Sequence, residues 1–559
     1  MTQDQNEIGD EDPQAAFRQR KTMLRGTLVV AAGTFLSRLL GMLRDVVTAN
    51  TLGMSVGGTM DSFVLAFRLP DVARRFFGDG SLGISFIPVF GKVWNQDRKK
   101  ASALLTALLC RFLLYLMVFV LIGEVLCWIG LQFFHPDGKV FLTARLLSLL
   151  LPYLVLICMA AICSASLHVQ GKFFVPTFIP PILNIAWITC IVVIVPMYSS
   201  FRGMKIDTDE QTIILAVCIL IAGFIQLLIQ YPFLKAHGFR FDFDFSKVHK
   251  EVRQIFHRFF PQVFGLMTVQ LNILVASTLA WLFSGQAGDV IGWLNGMMTY
   301  PLRPGAAAAI YYSERLFEFP QGLVGLAVAT AIYPLITHHA AHKKFKAMAD
   351  DLTLGLRLQF VFAIPAGAGL MIMSEKLAHL LFHRGAFNAS DMTRTADMIF
   401  WFSTGTWAFC TLPVIVRAFY TLGNTRTPFK ATALSAAVNI FLGFILMCWM
   451  QEQGLAVAVS VTAAMQSAAL LLRFAFKYKL IHMRELAVSI FRSVLATACM
   501  GLATIAVMKS LPGNSSLDDI LHISLGGIVG VTVFFLVLRF LGGRELSILV
   551  QGKLKKRQC

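Results

Sequence analysis

Residues 211–234 read QTIILAVCILIAGFIQLLIQYPFL, a stretch without one acidic or basic side chain. About 20 such residues in a helix cross the ~30 Å hydrocarbon core of a bilayer, and a helix satisfies every backbone polar group within itself. Comparable apolar stretches lie on either side, from near residue 23 to near residue 540. They give about fourteen candidate helices: roughly 23–49, 61–91, 103–129, 141–166, 174–198, 211–234, 256–283, 306–337, 354–375, 392–417, 429–450, 454–477, 488–509 and 519–541. The expected fold class is an all-α polytopic membrane protein. Composition agrees: of 559 residues, 56% are hydrophobic and 14% charged, where soluble domains have about 45–50% and about 25%. A water-soluble globular protein is excluded, and no stretch is left for a catalytic domain outside the membrane. The 10 Cys are scattered, without a CxxC pair or His at zinc spacing, which argues against a disulfide framework and a structural metal. The first 22 residues are polar and mixed in charge, without the pattern of a removable signal peptide.

The net charge of +18 is unevenly spread. Basic residues such as Lys99, Lys100, Lys172, Lys235, Lys343, Lys344, Arg426, Lys477 and Lys479 fall in the even-numbered loops, and others crowd both termini. The odd loops hold only Lys139, Arg202, Lys205, Arg303, Lys376, Arg384 and Lys509. By the positive-inside rule, both termini are expected to be cytoplasmic. The same loops can attract anionic membrane lipids, and their dispersal speaks against a nucleic-acid-binding face.

Two pairs of segments look alike across the chain. Leu167-His168-Val169-Gln170-Gly171-Lys172-Phe173-Phe174-Val175-Pro176 leads to Asn184-Ile185; Phe419-Tyr420-Thr421-Leu422-Gly423-Asn424-Thr425-Arg426-Thr427-Pro428 leads to Asn439-Ile440. Arg68-Leu69-Pro70 through Phe86-Ile87-Pro88 similarly faces Glu318-Phe319-Pro320 through Ile332-Tyr333-Pro334. A parallel repeat of two six-helix halves is implied. The expected division is a cytoplasmic tail 1–22, an N-terminal lobe 23–235, a linker 236–255, a C-terminal lobe 256–477, a helix pair 478–541 and a basic tail 542–559.

Three spans break the rule that a charge at mid-bilayer, costing about 2.5–3.5 kcal/mol, is avoided. In Ser37-Arg38-Leu39-Leu40-Gly41-Met42-Leu43-Arg44-Asp45, the residues Ser37, Arg38, Gly41, Arg44 and Asp45 fall within a wedge of about 120°. The second span spaces Asp61, Arg68 and Arg75 by sevens, with Arg74 adjacent and a kink expected at Pro70. The eighth supplies Glu314, Arg315 and Glu318, then Phe319-Pro320-Gln321-Gly322, where a break is expected. Mutual ion pairs, Arg38 to Asp45 or Arg315 to Glu318, are one account of these charges. Six arginines (38, 44, 68, 74, 75, 315) nevertheless outnumber Asp45, Asp61, Asp79, Glu314 and Glu318. Because guanidinium forks suit phosphate oxygens, a basic, water-accessible cavity for a phosphorylated anion is the sharper reading.

At these residues the chain resembles the MurJ (MviN) lipid II flippases, within the multidrug/oligosaccharidyl-lipid/polysaccharide exporter superfamily. The matching stretches are Ser37 to Asp45; Asp61 to Pro70 with Arg74-Arg75; Tyr311-Tyr312-Ser313-Glu314-Arg315-Leu316-Phe317-Glu318-Phe319-Pro320-Gln321-Gly322-Leu323-Val324-Gly325; and Phe419 to Pro428. The resemblance implies a bacterial inner-membrane protein of fourteen helices, two six-helix lobes around a cationic cavity, and a last helix pair forming a groove for a polyprenyl tail. It implies substrate-cavity roles for Arg38, Arg44, Arg74 and Arg315, with Asp61, Glu314 and Glu318 as polar neighbours. The implied cargo is lipid II, an undecaprenyl-diphosphate-linked peptidoglycan precursor, with cell-wall synthesis or division machinery as candidate partners and no cofactor. Two departures stand out. Gly78-Asp79-Gly80-Ser81 replaces an Ala-Glu-Gly-Ala pattern, and Asn272-Ile273-Leu274-Val275 is followed by Ala276 where sodium-binding members carry an acid, which puts sodium coupling in doubt. The rivals are an exporter of another polyprenyl-linked glycan and an integral-membrane polyprenyl-phosphate enzyme. The enzyme would need a metal-binding acid cluster, and the adjacent acid pairs, Asp350-Asp351 and Asp518-Asp519, are expected on opposite sides of the membrane.

Overall fold

The computed structural model describes residues 13–78, 81–133, 138–266, 268–286, 288–291, 297–511, 513 and 515–543. Among these the fold is helical throughout, apart from isolated bridges in the loop after the seventh predicted span. The first half contains α1 (Pro13–Leu52), α2 (Thr59–Gly78), α3 (Ser81–Gln96), α4 (Arg98–Phe133), α5 (Lys139–Val169), α6 (Phe174–Thr189), α7 (Val195–Arg202) and α8 (Thr208–Ala236). The second contains α9 (His249–Leu266), α10 (Thr268–Leu282), α11 (Ala306–Pro320), α12 (Leu326–Ala341), α13 (Phe345–Ile372), α14 (Ser374–Phe382), α15 (Ala389–Ser403), α16 (Thr406–Thr421), α17 (Arg426–Met450) and α18 (Glu452–Tyr478). A closing pair follows, α19 (Met483–Ser510) and α20 (Ser516–Phe540).

A helix or helix pair lies over each predicted stretch. Among the described residues, ten are long and apolar enough to cross a membrane, or eleven if the pair α15 and α16, bent by 44°, counts as one. The first, second and seventh predicted spans fall on α1, on α2 with α3, and on α9 with α10, which are charged or interrupted. The break expected at Phe319-Pro320-Gln321-Gly322 is a π-helical turn at Gln321–Gly325, so α11 and α12 form one rod, Ala306–Ala341. Proline at 320 removes a backbone donor, and the wider turn absorbs the mismatch.

Packing is mostly within each half. In the first, α5 lies against α2, α4 and α8, and α1 against α6; in the second, α18 gathers α15, α16 and α17. The closing pair packs on itself and, through α19, on α13. Close contacts rely on small residues, as expected where lipid supplies no hydrophobic drive between helices. A Cβ placed on Gly223 of α8 would stand 2.6 Å from the Tyr153 ring of α5. Trp187 of α6 meets Phe63 and Phe67 edge-on at 5.3 and 5.2 Å, and its indole N–H donates to Thr48 Oγ1 at 2.9 Å, tying α6 to α2 and α1.

The suspected repeat has matching geometry. Gly171 and Gly423 both adopt left-handed backbone, φ 74° and 72°. Gly171 N–H donates to His168 O and Lys172 N–H to Leu167 O; Gly423 N–H donates to Tyr420 O and Asn424 N–H to Phe419 O. One helix beyond, Asn184 Nδ2 donates to Ser37 O of α1 at 3.1 Å, and Asn439 Nδ2 donates to Asn272 O of α10 at 2.8 Å.

Candidate functional site: a shared charge network

Three helices bring the charges together. Arg44 and Asp45 end the polar wedge of α1, and α11 runs from the second half to meet both these residues and the arginines of α2. Arg44 donates through Nε and Nη2 to Asp45 Oδ1 at 2.9 and 2.8 Å, and through Nη1 to Asn184 Oδ1 at 3.0 Å. Its guanidinium lies 4.7 Å from the Trp187 ring centre. Tyr311 O–H accepts from Arg44 at 3.1 Å and donates to Asp45 Oδ1 at 2.8 Å. The other carboxylate oxygen, Asp45 Oδ2, is 3.1 Å from Arg315 Nε.

From Arg315 the chain of contacts runs on. Its Nη1 donates to Glu318 Oε2 at 3.2 Å, and Glu318 binds Arg75 of α2. Arg75 Nε donates to Asp71 Oδ2 at 2.9 Å, and Arg74 Nη2 to Asp71 Oδ1 at 2.8 Å. A deeper branch joins Arg68 to Glu314 Oε2 at 2.5 Å and to Ser277 Oγ of α10 at 3.1 Å. Exposure rises along the network, from 2% for the Arg68 side chain to 31% for Arg74. Buried charges tolerate this setting because each is paired, and the pairing crosses between the two halves.

Arg38 stands apart. It pairs with no carboxylate among the described residues, so the expected Arg38 to Asp45 pair is replaced by Arg44 and Arg315 on Asp45. The reason is local: Arg44 is adjacent to Asp45 and curls back on it, whereas Arg38 lies two turns away. The Arg38 guanidinium instead covers the backbone of Gly322 in the π turn, where a Cβ would overlap it. Ser37 contributes its carbonyl to Asn184, and a Cβ on Gly41 would make only an ordinary contact with the same amide, at 3.7 Å.

Asp61 is separated from the other predicted site residues. Its carboxylate accepts from Gly305 N–H at 2.7 Å and Ala308 N–H at 2.9 Å, capping the start of α11. Asp79 lies outside the described residues. Four hydrogen-bonding residues given no role in the sequence reading belong to the network: Asp71, Asn184, Ser277 and Tyr311. Where an acid follows the Asn-x-x-Val pattern in sodium-binding members, Ala276 is buried, and Asn272 Nδ2 donates to Ser435 Oγ at 3.0 Å. No group of acidic, His and Cys side chains suited to a metal occurs among the described residues.

Residues 48–525 match the family described as Lipid II flippase MurJ. The chain belongs to the MurJ lipid II flippase family. Relatives described as probable lipid II flippase MurJ include one from Vibrio cholerae, 30% identical over 80% of this chain and 82% of its own, and one from Haemophilus influenzae, 30% identical over 84% and 90%. A solved lipid II flippase MurJ in an inward closed conformation shares the fold, with TM-score 0.68 at 20% identity, over 93% of this chain and 99% of that one. An inward-facing MATE family multidrug transporter matches more distantly, with TM-score 0.62 at 11% identity, over 79% and 95%. As a MurJ family member, the chain is a multi-pass protein of the bacterial inner membrane and a transporter, not an enzyme.

Proposed function

We propose that the protein moves lipid II from the inner to the outer leaflet by alternating access, with Arg38, Arg44, Arg74 and Arg315 receiving the diphosphate. The carrying observation is an arginine-rich network built jointly by α1, α2 and α11, so that an anion bound there contacts both halves at once. Such a ligand shifts a two-state equilibrium to the extent that it binds one arrangement better than the other. Ser37, Gly41 and Asp45 shape the α1 wall, and Glu314 and Glu318 hold Arg68 and Arg75 in place. Asp61 acts by fixing α11, the helix that carries Arg315.

In this reading the chain crosses the membrane fourteen times with both termini cytoplasmic. Residues 23–235 and 256–477 are the two lobes, 236–255 is their linker, and the closing pair, 478–541, flanks the polyprenyl tail. Tails 1–22 and 542–559 stay in the cytoplasm, and cell-wall synthesis or division machinery are the candidate protein partners. The test is headgroup accessibility in cells depleted of the protein, read with a probe that labels lipid II only in the outer leaflet. Outer labelling collapses and the inner pool rises if the reading holds; unchanged labelling overturns it.

A further inference from the structure

Away from the charge network, a cavity of about 720 Å3 opens between α4 and α9. Two helix faces line it: Arg111 and Tyr115, one turn apart on α4, and His249, Arg253 and Phe256 along one side of α9. Aromatic contacts build the wall between them. Phe256 stacks on Phe112 at 4.8 Å and meets Tyr115 edge-on at 5.8 Å.

Apart from the Tyr115 hydroxyl, the polar lining is basic. Arg111 Nη2 stands 3.4 Å from His249 Nδ1 and donates to it when the imidazole is neutral. Neither Arg111 nor Arg253 has a carboxylate partner among the described residues, and Glu251, on the same turn of α9, is committed to Lys100 at 2.7 Å. Two guanidinium groups therefore share a cavity with no counter-charge among the described residues. Arg111 lies about 20 Å along α4 from its start at Arg98, past the basic run Arg98, Lys99 and Lys100. Because His249 and Arg253 fall in the linker 236–255, Arg111 meets them near the membrane surface, at the depth of lipid headgroups. Just beyond it, Leu114, Tyr115 and Val118 are exposed on an apolar face of α4.

We infer that this cavity binds the phosphate headgroup of an anionic phospholipid, with Arg111 and Arg253 on the phosphate and the acyl chains along the exposed face of α4. Guanidinium forks match phosphate oxygens, and the apolar face continuous with the cavity selects a lipid over a free phosphate. The site is distinct from the α1, α2 and α11 network and stands whether or not the transport reading does.

The test uses the full-length protein in phosphatidylcholine nanodiscs with a photoreactive phosphatidylglycerol carrying its label near the headgroup. Adducts are expected to concentrate on residues 111–119 and 249–256 and to be displaced by unlabelled phosphatidylglycerol. Arg111→Gln with Arg253→Gln should cut that yield about tenfold, the loss of a charge-assisted contact. Arg111→Lys with Arg253→Lys should retain most of it, and both variants are compared at equal thermal stability. Adducts spread evenly over exposed helices, or undiminished in the Gln variant, overturn the site. Displacement by inorganic phosphate alone assigns it to a soluble anion, and preferential displacement by undecaprenyl diphosphate assigns it to the cargo; either overturns the phospholipid assignment.

Discussion

Arg38 and Arg68 carry the same charge and have opposite expected roles. Arg68 is 2% exposed against a fully buried Glu314, so Arg68→Ala leaves that carboxylate with only Arg75, 3.7 Å away. It is expected to cost about 3–5 kcal/mol, seen as a lower unfolding temperature in detergent and poor expression. Arg38, half-buried and without a carboxylate partner among the described residues, can be removed without stranding a charge. Arg38→Ala is expected to leave the unfolding temperature unchanged while lowering outer-leaflet lipid II labelling at least ~tenfold, the worth of one charge-assisted phosphate contact. If Arg38→Ala transports normally, Arg38 has no part in the cavity. Sequence reading found the wedge of α1 and the acids of α11 because charges inside apolar spans stand out. It passed over Asp71, whose i+3 and i+4 partners Arg74 and Arg75 are a local signal, because the spacing by sevens drew Asp61, Arg68 and Arg75 together. The capping role of Asp61 was not legible, since the amides it serves lie at Gly305 and Ala308, far along the chain.

At the scale of elements, the two Gly turns offer a clean comparison. A Cβ on Gly171 or Gly423 would meet nothing within 4 Å, so substitution there costs backbone conformation alone. Gly171→Ala and Gly423→Ala are each expected to destabilise by about 1–2 kcal/mol, and by similar amounts, with Asn costing less at both. Thermal unfolding of the four variants decides it; a large inequality would show that the turns are not equivalent. The spans were legible because hydrophobicity over about 20 residues is a strong, local signal. Where they break was less so: Phe319-Pro320 promised an interruption, and the chain instead widens into a π turn without losing its direction. The outcome depends on Arg38 and Gly325 packing against neighbouring helices, contacts that no local pattern encodes.

The whole molecule is shut at the end remote from its N-terminus. There Ala386 N–H donates to Asn50 O at 2.9 Å, Tyr312 O–H donates to Gly53 O at 3.3 Å, and Gly305 abuts Met54, joining the first half to the second. Under the proposed orientation, with cytoplasmic termini, this would be the outer face, and release of a headgroup outward would require these contacts to part. Outward movement of a diphosphate is aided by roughly 2.3 kcal/mol per charge per 100 mV of inside-negative potential, so a collapsed potential should slow labelling even with sodium present. The gate itself has a direct test. A backbone hydrogen bond between residues 50 and 386 holds their Cα atoms within disulfide reach. Asn50→Cys with Ala386→Cys is expected to transport when reduced and to stop when oxidised, with activity returning on addition of reductant. Each single Cys variant should ignore the oxidant, because it lacks the second introduced thiol. Continued transport by the fully cross-linked protein would mean that the headgroup leaves without separating the halves at this end, and alternating access about the arginine network would fail with it.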